Sequence, residues 1–158
     1  MSLIDIGANL THPSFEKDLS DVLDRAKAAN VSHIIVTGSD LESSIQSTKL
    51  SKQSPNYLSA TAGFHPHNSK NCQNQDWAKI SELCSMREVV AVGECGLDYN
   101  RNFSPSKIQR TIFRKHLSLA SEIGKPLFLH QRDAHQDFYN LLTEYRSADL
   151  RGVVHCFT

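Results

Sequence analysis

The chain has 158 residues, of which 39% are hydrophobic and 22% charged, and its 17 lysines and arginines balance its 17 aspartates and glutamates. This composition predicts a single folded domain over residues 1–158 and excludes a disordered chain or a small disulfide scaffold. Zero net charge argues against a protein that coats nucleic acid along its length, and the longest apolar run, Val89–Val92, is far too short for a membrane span.

Short β-branched strands alternate with longer amphipathic helices along the whole chain. The predicted strands are Leu3–Ile6, His33–Val36, Tyr57–Ala60, Val89–Val92, Pro126–Leu129 and Gly152–Val154. The predicted helices lie between them, near residues 16–29, 41–52, 77–86, 108–123 and 134–145. Asp40 is expected to cap the second helix, and Gly124 to end the fourth.

Strict alternation of strands and helices predicts a parallel α/β domain. A barrel is favoured over an open doubly wound sheet, because polar residues follow many strands and no glycine-rich phosphate loop follows the first. Each unit takes about 30 residues, so eight units need roughly 240, and the chain is expected to cover about the first six βα units of a TIM (β/α)8 barrel. Such an incomplete barrel would expose strand edges and favour self-association.

Potential metal ligands recur at the same position of consecutive units. In a parallel barrel all strand carboxyl ends open on one face, so the polar residues that follow strands three to six should converge there, namely His65, Glu94, His130 and His155. Glu94, His130 and His155 form a carboxylate and imidazole set suited to Mg²⁺, Mn²⁺ or Zn²⁺. A single histidine at a strand end is more often a structural residue, but the common position of the three favours a metal site.

Other residues have two interpretations each. Arg132 could bind a phosphate or carboxylate at the same mouth, or it could cap a helix. Asp98 could orient a ligating histidine, or it could be a turn residue. Cys95 and Cys156 are interpreted as small core residues. The four cysteines lack metal or disulfide spacing, which is typical of reduced thiols in a cytoplasmic protein, or a nuclear one in a eukaryote.

Several motifs resemble the TatD family of metal-dependent deoxyribonucleases, which are amidohydrolase-like barrels. The resemblance covers the whole chain and depends on five segments: Asp5–Thr11, Gly63–His67, Val92–Tyr99, His130–His135 and His155–Thr158. It implies that Glu94, His130 and His155 bind metal, and that His65 and Arg132 bind the substrate phosphate.

The sequence departs from the family pattern in two places. Gly7 and Asn9 stand where many relatives have a pair of histidines. Asp5, Asn9 and Asp98 are candidates for side chains that support the metal ligands without binding the metal themselves. Family members continue through further βα units, one of which ends in an aspartate that completes the metal site, so we expect this chain to correspond to about two thirds of the barrel.

The leading hypothesis is a metal-dependent deoxyribonuclease in which a metal-activated water attacks DNA phosphodiester bonds. Glu94, His65 and Arg132 are its predicted catalytic residues, and Mg²⁺ is the first expectation for the metal, before Mn²⁺ or Zn²⁺. One alternative is a metal-dependent amide or ester hydrolase on the same scaffold. Another is a short, non-catalytic form that binds partners or associates with itself.

Overall fold

The structure is a computed structural model that describes residues 1–146 and 149–157, so Thr158 of the last motif lies outside the described residues. Its strands are β1 (Leu3–Ala8), β2 (Val31–Val36), β3 (Leu58–Ala62), β4 (Val89–Asp98), β5 (Leu127–Arg132) and β6 (Gly152–His155). Its α-helices are α1 (Leu19–Ala28), α2 (Leu41–Gln53), α3 (Asn74–Ser85), α4 (Ser106–Ile123) and α5 (His135–Glu144).

The six strands form one parallel sheet in the order β1-β2-β3-β4-β5-β6. Consecutive strands are therefore neighbours throughout, as in the wall of a barrel, whereas the strand order of a doubly wound sheet reverses at a switch point. The predicted parallel α/β domain is confirmed. Because all strands run the same way, every strand delivers the residues at its carboxyl end to one edge of the sheet.

The helix limits follow local capping chemistry. The Asp40 side chain accepts a hydrogen bond from the Ser43 amide at 2.8 Å and begins α2, as predicted. Gly124 ends α4 with a left-handed backbone at φ 67°, which also agrees with the prediction. Helix α1 begins at Leu19, three residues later than predicted from Glu16, and the 3-10 turn Pro13–Phe15 lies shortly before it.

Strand β4 is longer than its sequence indicates, because it continues past Val92 to Asp98. Its pairing with β5 shifts between Gly93 and Cys95, so that Glu94 is an extra residue without a partner in the register. Such a bulge redirects the side chain of the extra residue. Gly93 and Gly96 have φ values of 133° and 138°, and a Cβ atom on either would overlap a carbonyl oxygen of β5. These glycines allow β4 and β5 to approach closely on both sides of Glu94.

The core lies between the helices and the outer face of the sheet. One buried cluster joins β3, β4 and β5 to α3, α4 and α5, and a smaller one joins β1 and β2 to α1. The edge strands are much less covered, and Ile4 of β1 and Val153 of β6 are 60% and 49% exposed. Cys95 is buried as predicted, but Cys156 is exposed, so its interpretation as a core residue is wrong. No helix in the described ranges is long and apolar enough to cross a bilayer.

Candidate metal centre

The bulge in β4 brings Glu94 among three histidines from other strands. Its Oε1 atom lies 2.6 Å from His155 Nε2, 3.3 Å from His130 Nδ1 and 3.6 Å from His65 Nε2. The four predicted residues therefore converge, although Glu94 and His155 are 61 positions apart in sequence. His155 is also fixed from behind, since its ring stacks on Phe128 with centroids 4.5 Å apart.

A second carboxylate, Asp98 at the end of β4, holds two imidazoles of this cluster. Its Oδ2 atom accepts hydrogen bonds from His67 Nε2 at 2.8 Å and His130 Nε2 at 3.1 Å. Its Oδ1 atom accepts from the amides of Asn100 and Arg101. Asp98 is 1% exposed, and its bond to His130 agrees with the predicted role of orienting a histidine. The two amide bonds to Oδ1 also agree with the prediction of a turn residue, so Asp98 fits both interpretations.

Burial and charge act in opposite directions on these groups. Burial alone would raise the pKa of the Glu94 carboxyl, but His130 and His155, which face it, lower that pKa to about 2. Burial lowers the pKa of His65 to about 4, even though Glu94 acts to raise it. At neutral pH the site therefore presents an ionised carboxylate and a neutral His65 imidazole, which are the protonation states that bind cations.

The His130 ring gives a direct test of whether a divalent cation fits. Its Nε2 atom bonds to Asp98, which leaves Nδ1 as the ring atom that a cation can use, and this buried Nδ1 atom has no hydrogen-bond partner in the described part of the chain. Nδ1 lies 3.3 Å from Oε1 of the Glu94 carboxylate. An imidazole nitrogen and a carboxylate this close can share one cation, and the carboxylate behind the histidine is the arrangement that metal sites use. These residues fit a divalent metal.

Arg132 and a cleft lie beside this cluster. Arg132 is the last residue of β5, half-buried, and lines a cleft of about 480 Å³ together with His130, Asp133, Asn100 and Cys156. The cleft is held on one side by the Asn100 side chain, which donates to Asp133 Oδ2 at 2.7 Å. Arg132 therefore lines the same open cleft as His130.

The structure does not bring the two other predicted supporting residues into the cluster. Asp5 is exposed in β1, where its Oδ1 atom accepts from the Gly7 amide at 3.1 Å. Asn9 is exposed and lines a separate cleft between the ends of β1 and β2. Over residues 1–146 and 149–157, neither side chain has a hydrogen bond to Glu94 or to the clustered histidines.

Sequence analysis missed two members of the site. His67 contacts Asp98 and lies with its ring centroid 4.4 Å from that of His65, and the signal was available in the His65-Pro66-His67 repeat. Cys156 was assigned to the core, but its sulfur lies within 4.8 Å of ligand atoms of His130 and His155. A thiolate there would add a donor that prefers Zn²⁺ to Mg²⁺.

The chain was compared with known proteins. Residues 4–158 match the family model described as TatD related DNase. The 3'-5' ssDNA/RNA exonuclease TatD of Yersinia pseudotuberculosis is 44% identical over 156 residues, which are 99% of this chain and 60% of that protein. The chain thus spans about three fifths of the length of the curated relatives that it matches.

Two solved structures of TatD proteins have the same fold as this chain. A TatD family hydrolase from Entamoeba histolytica superposes with a TM-score of 0.87 at 32% identity, covering 99% of this chain and 58% of that one. A TatD homologue from Escherichia coli superposes with a TM-score of 0.86 at 29% identity, covering 99% and 60%. These matches confirm that the six strands are part of a barrel of the predicted kind.

Proposed function

Because the chain belongs to the TatD-related DNase family, we propose that it carries the metal centre of a nuclease that hydrolyses phosphodiester bonds of DNA. The observation that carries this proposal is the buried Nδ1 atom of His130, which has no hydrogen-bond partner in the described part of the chain and lies 3.3 Å from the ionised Glu94 carboxylate, while Asp98 orients the ring. A bound cation would satisfy this nitrogen, whereas leaving a buried polar atom unpaired costs stability.

We propose that Glu94, His130 and His155 hold the metal. A divalent cation at these residues supplies Lewis-acid activation of water and compensates negative charge on the phosphoryl group. We propose Mg²⁺ as this cation, because Mg²⁺ pairs one or two carboxylates with substrate phosphates. The two imidazoles, and Cys156 nearby, also suit Zn²⁺, and Mn²⁺ accepts the same mixed donors. Titration with all three ions tests the choice.

The other residues act on the substrate or on the ligands. Arg132 projects into the cleft beside His130, where its planar guanidinium can bind two phosphate oxygens. His65 is neutral at pH 7 and lies 3.6 Å from Glu94, so it can donate a hydrogen bond to a phosphate oxygen or move a proton at its Nε2 atom. Asp98 keeps the proton of His130 on Nε2 and thereby its lone pair on Nδ1.

The anionic character of the substrate favours phosphodiester hydrolysis over the amide or ester alternative. An arginine in the cleft stabilises a phosphate that gains charge in the transition state, whereas a neutral amide would leave that cation without a partner. The names of the curated relatives describe exonucleases of single-stranded DNA and RNA, so we propose a single-stranded DNA end as the substrate.

The cellular setting and the assembly of the chain are proposals as well. Four free cysteines agree with a reducing, cytoplasmic location. The exposed apolar residues of β1 and β6 lie on unpaired strand edges, which supports association between copies of this chain. Analytical ultracentrifugation of the purified chain at several concentrations tests this proposal.

The nuclease proposal is tested with a fluorescent single-stranded oligonucleotide, a metal titration and the variant Glu94→Gln. The wild-type chain should cleave only with added divalent metal, and a chelator should stop cleavage. Glu94→Gln keeps the side-chain shape but removes the charge, so metal binding measured by calorimetry and cleavage should both be lost. Cleavage that survives the chelator and the substitution refutes the metal mechanism. A wild-type chain that binds metal without cleaving would support the non-catalytic alternative.

A further inference from the structure

The segment between β4 and α4, Tyr99–Pro105, is called the β4–α4 loop below. We propose that this loop presents Phe103 as a stacking platform for a nucleobase of single-stranded DNA whose phosphate lies at the metal centre. This inference rests on the proposed nuclease function and adds a base-binding residue to it. It concerns a side chain that the metal mechanism leaves unused.

The Phe103 side chain is about half exposed, and its ring contacts His67 next to the candidate metal centre. It is 52% exposed, and its ring centroid lies 4.8 Å from that of His67 with the two planes nearly perpendicular. His67 in turn bonds to Asp98, which bonds to His130. Phe103 is thus separated from a proposed metal ligand by only two side chains, His67 and Asp98, so it lies within reach of a base next to a phosphate at the centre.

Hydrogen bonds hold the loop backbone on both sides of Phe103. Before it, Asn102 has a left-handed backbone with φ 51°, and its side chain donates to the Tyr99 carbonyl at 3.0 Å. After it, the buried Ser104 hydroxyl donates to the His67 carbonyl at 2.8 Å and accepts from the Lys70 amide at 3.0 Å. An exposed aromatic ring on a fixed backbone loses little conformational freedom when it binds, so it is suited to recognition.

The chemistry of the loop matches single-stranded nucleic acid. Proteins that bind single strands combine aromatic rings, on which any base can stack, with cations that follow the phosphates. Arg101 lies two residues before Phe103, is exposed, and has no ion pair in the part of the chain that the structure describes. Ring and cation are therefore two residues apart on one loop, and this loop can hold the strand without selecting its sequence.

The test measures binding of a short phosphorothioate oligothymidylate that carries one 2-aminopurine, whose fluorescence falls when it stacks. The variants are Phe103→Ala, Phe103→Leu and Phe103→Trp, and the control is Tyr139→Ala, which removes an aromatic ring of similar exposure. Phe103→Ala should raise the Kd at least about fivefold and abolish the quenching. Phe103→Trp should retain both. An oligonucleotide with an abasic site in place of 2-aminopurine should bind equally to the wild-type chain and to Phe103→Ala.

Four results overturn the inference: equal binding by Phe103→Ala and the wild-type chain, full function in Phe103→Leu, an equal loss in Tyr139→Ala, or unchanged quenching. Phe103→Leu keeps apolar contact with His67 without an aromatic face, so it also covers the case in which Phe103→Ala does not fold.

Cleavage of an ordinary oligonucleotide is measured in parallel. If the wild-type chain cleaves and Phe103→Ala does so equally well, only the platform is refuted. If the wild-type chain neither binds nor cleaves, the platform and the nuclease proposal are both refuted.

Discussion

Replacing Asp98 by asparagine should weaken metal binding without disturbing the fold. The asparagine oxygen can take the place of Oδ1, which accepts from the amides of Asn100 and Arg101 at 3.0 and 3.2 Å. Its NH₂ group then replaces Oδ2 and faces Nε2 of His67 and His130. Because two donors cannot bond to each other, His130 must move its proton to Nδ1, where the lone pair for the metal was.

The size of this effect follows from the role of such supporting carboxylates, whose removal costs about 10- to 100-fold in metal affinity, or about 1.4 to 2.7 kcal/mol. Isothermal titration calorimetry with Mn²⁺ measures it, and a thermal melt confirms that the variant is folded. The matched control is Asp137→Asn, because Asp137 accepts hydrogen bonds from Tyr99 and Arg110 and, in the described ranges, has no hydrogen bond or ion pair with a histidine. Wild-type metal affinity in a folded Asp98→Asn variant would refute the proposed orientation of His130.

Three more predictions concern the fold and the cleft. Burial lowers the pKa of His116 from its usual value of 6.5 to about 4. As the pH falls below 6.5, His116 is therefore protonated in the unfolded chain while it stays neutral in the folded chain. Stability should therefore be lost between pH 6.5 and 4, by up to about 3 kcal/mol, and chemical denaturation of His116→Gln should show a smaller pH slope. Gly96→Ala should lower the free energy of unfolding by more than about 3 kcal/mol, because its Cβ would overlap the His130 carbonyl; a urea midpoint equal to wild type would contradict this. Arg132→Lys should raise the KM for DNA about tenfold, since a lysine cannot bind two phosphate oxygens at once, and an unchanged KM would remove Arg132 from the phosphate site.

His116 shows that the position of a site residue depends on packing contacts outside the site. The structure places it fully buried on α4. Its Nδ1 atom donates to the Ile112 carbonyl, and its Nε2 atom accepts from the Phe64 amide at 3.0 Å, one residue before His65. The helix thereby holds the loop that carries His65. A contact across 52 positions is invisible to local patterns.

The sequence by itself determined the parallel α/β architecture, because the alternation of β-branched and amphipathic segments depends only on local periodicity. The same alternation identified the strand ends at which Glu94, His130, His155 and His65 stand. The residue types were sufficient to predict a cation as the partner of Glu94, His130 and His155, whereas a phosphate at His65 was implied only by the resemblance to the family.

Only the tertiary structure decided how these side chains meet. The bulge at Glu94 depends on the register between β4 and β5. Gly93 and Gly96 permit this register, but their presence in the sequence does not predict it. The pairing of His67 with Asp98 and the exposure of Cys156 depend on neighbours far away in sequence. The physical reason is that a metal centre is set by the relative positions of several strands, whereas periodicity describes each strand alone.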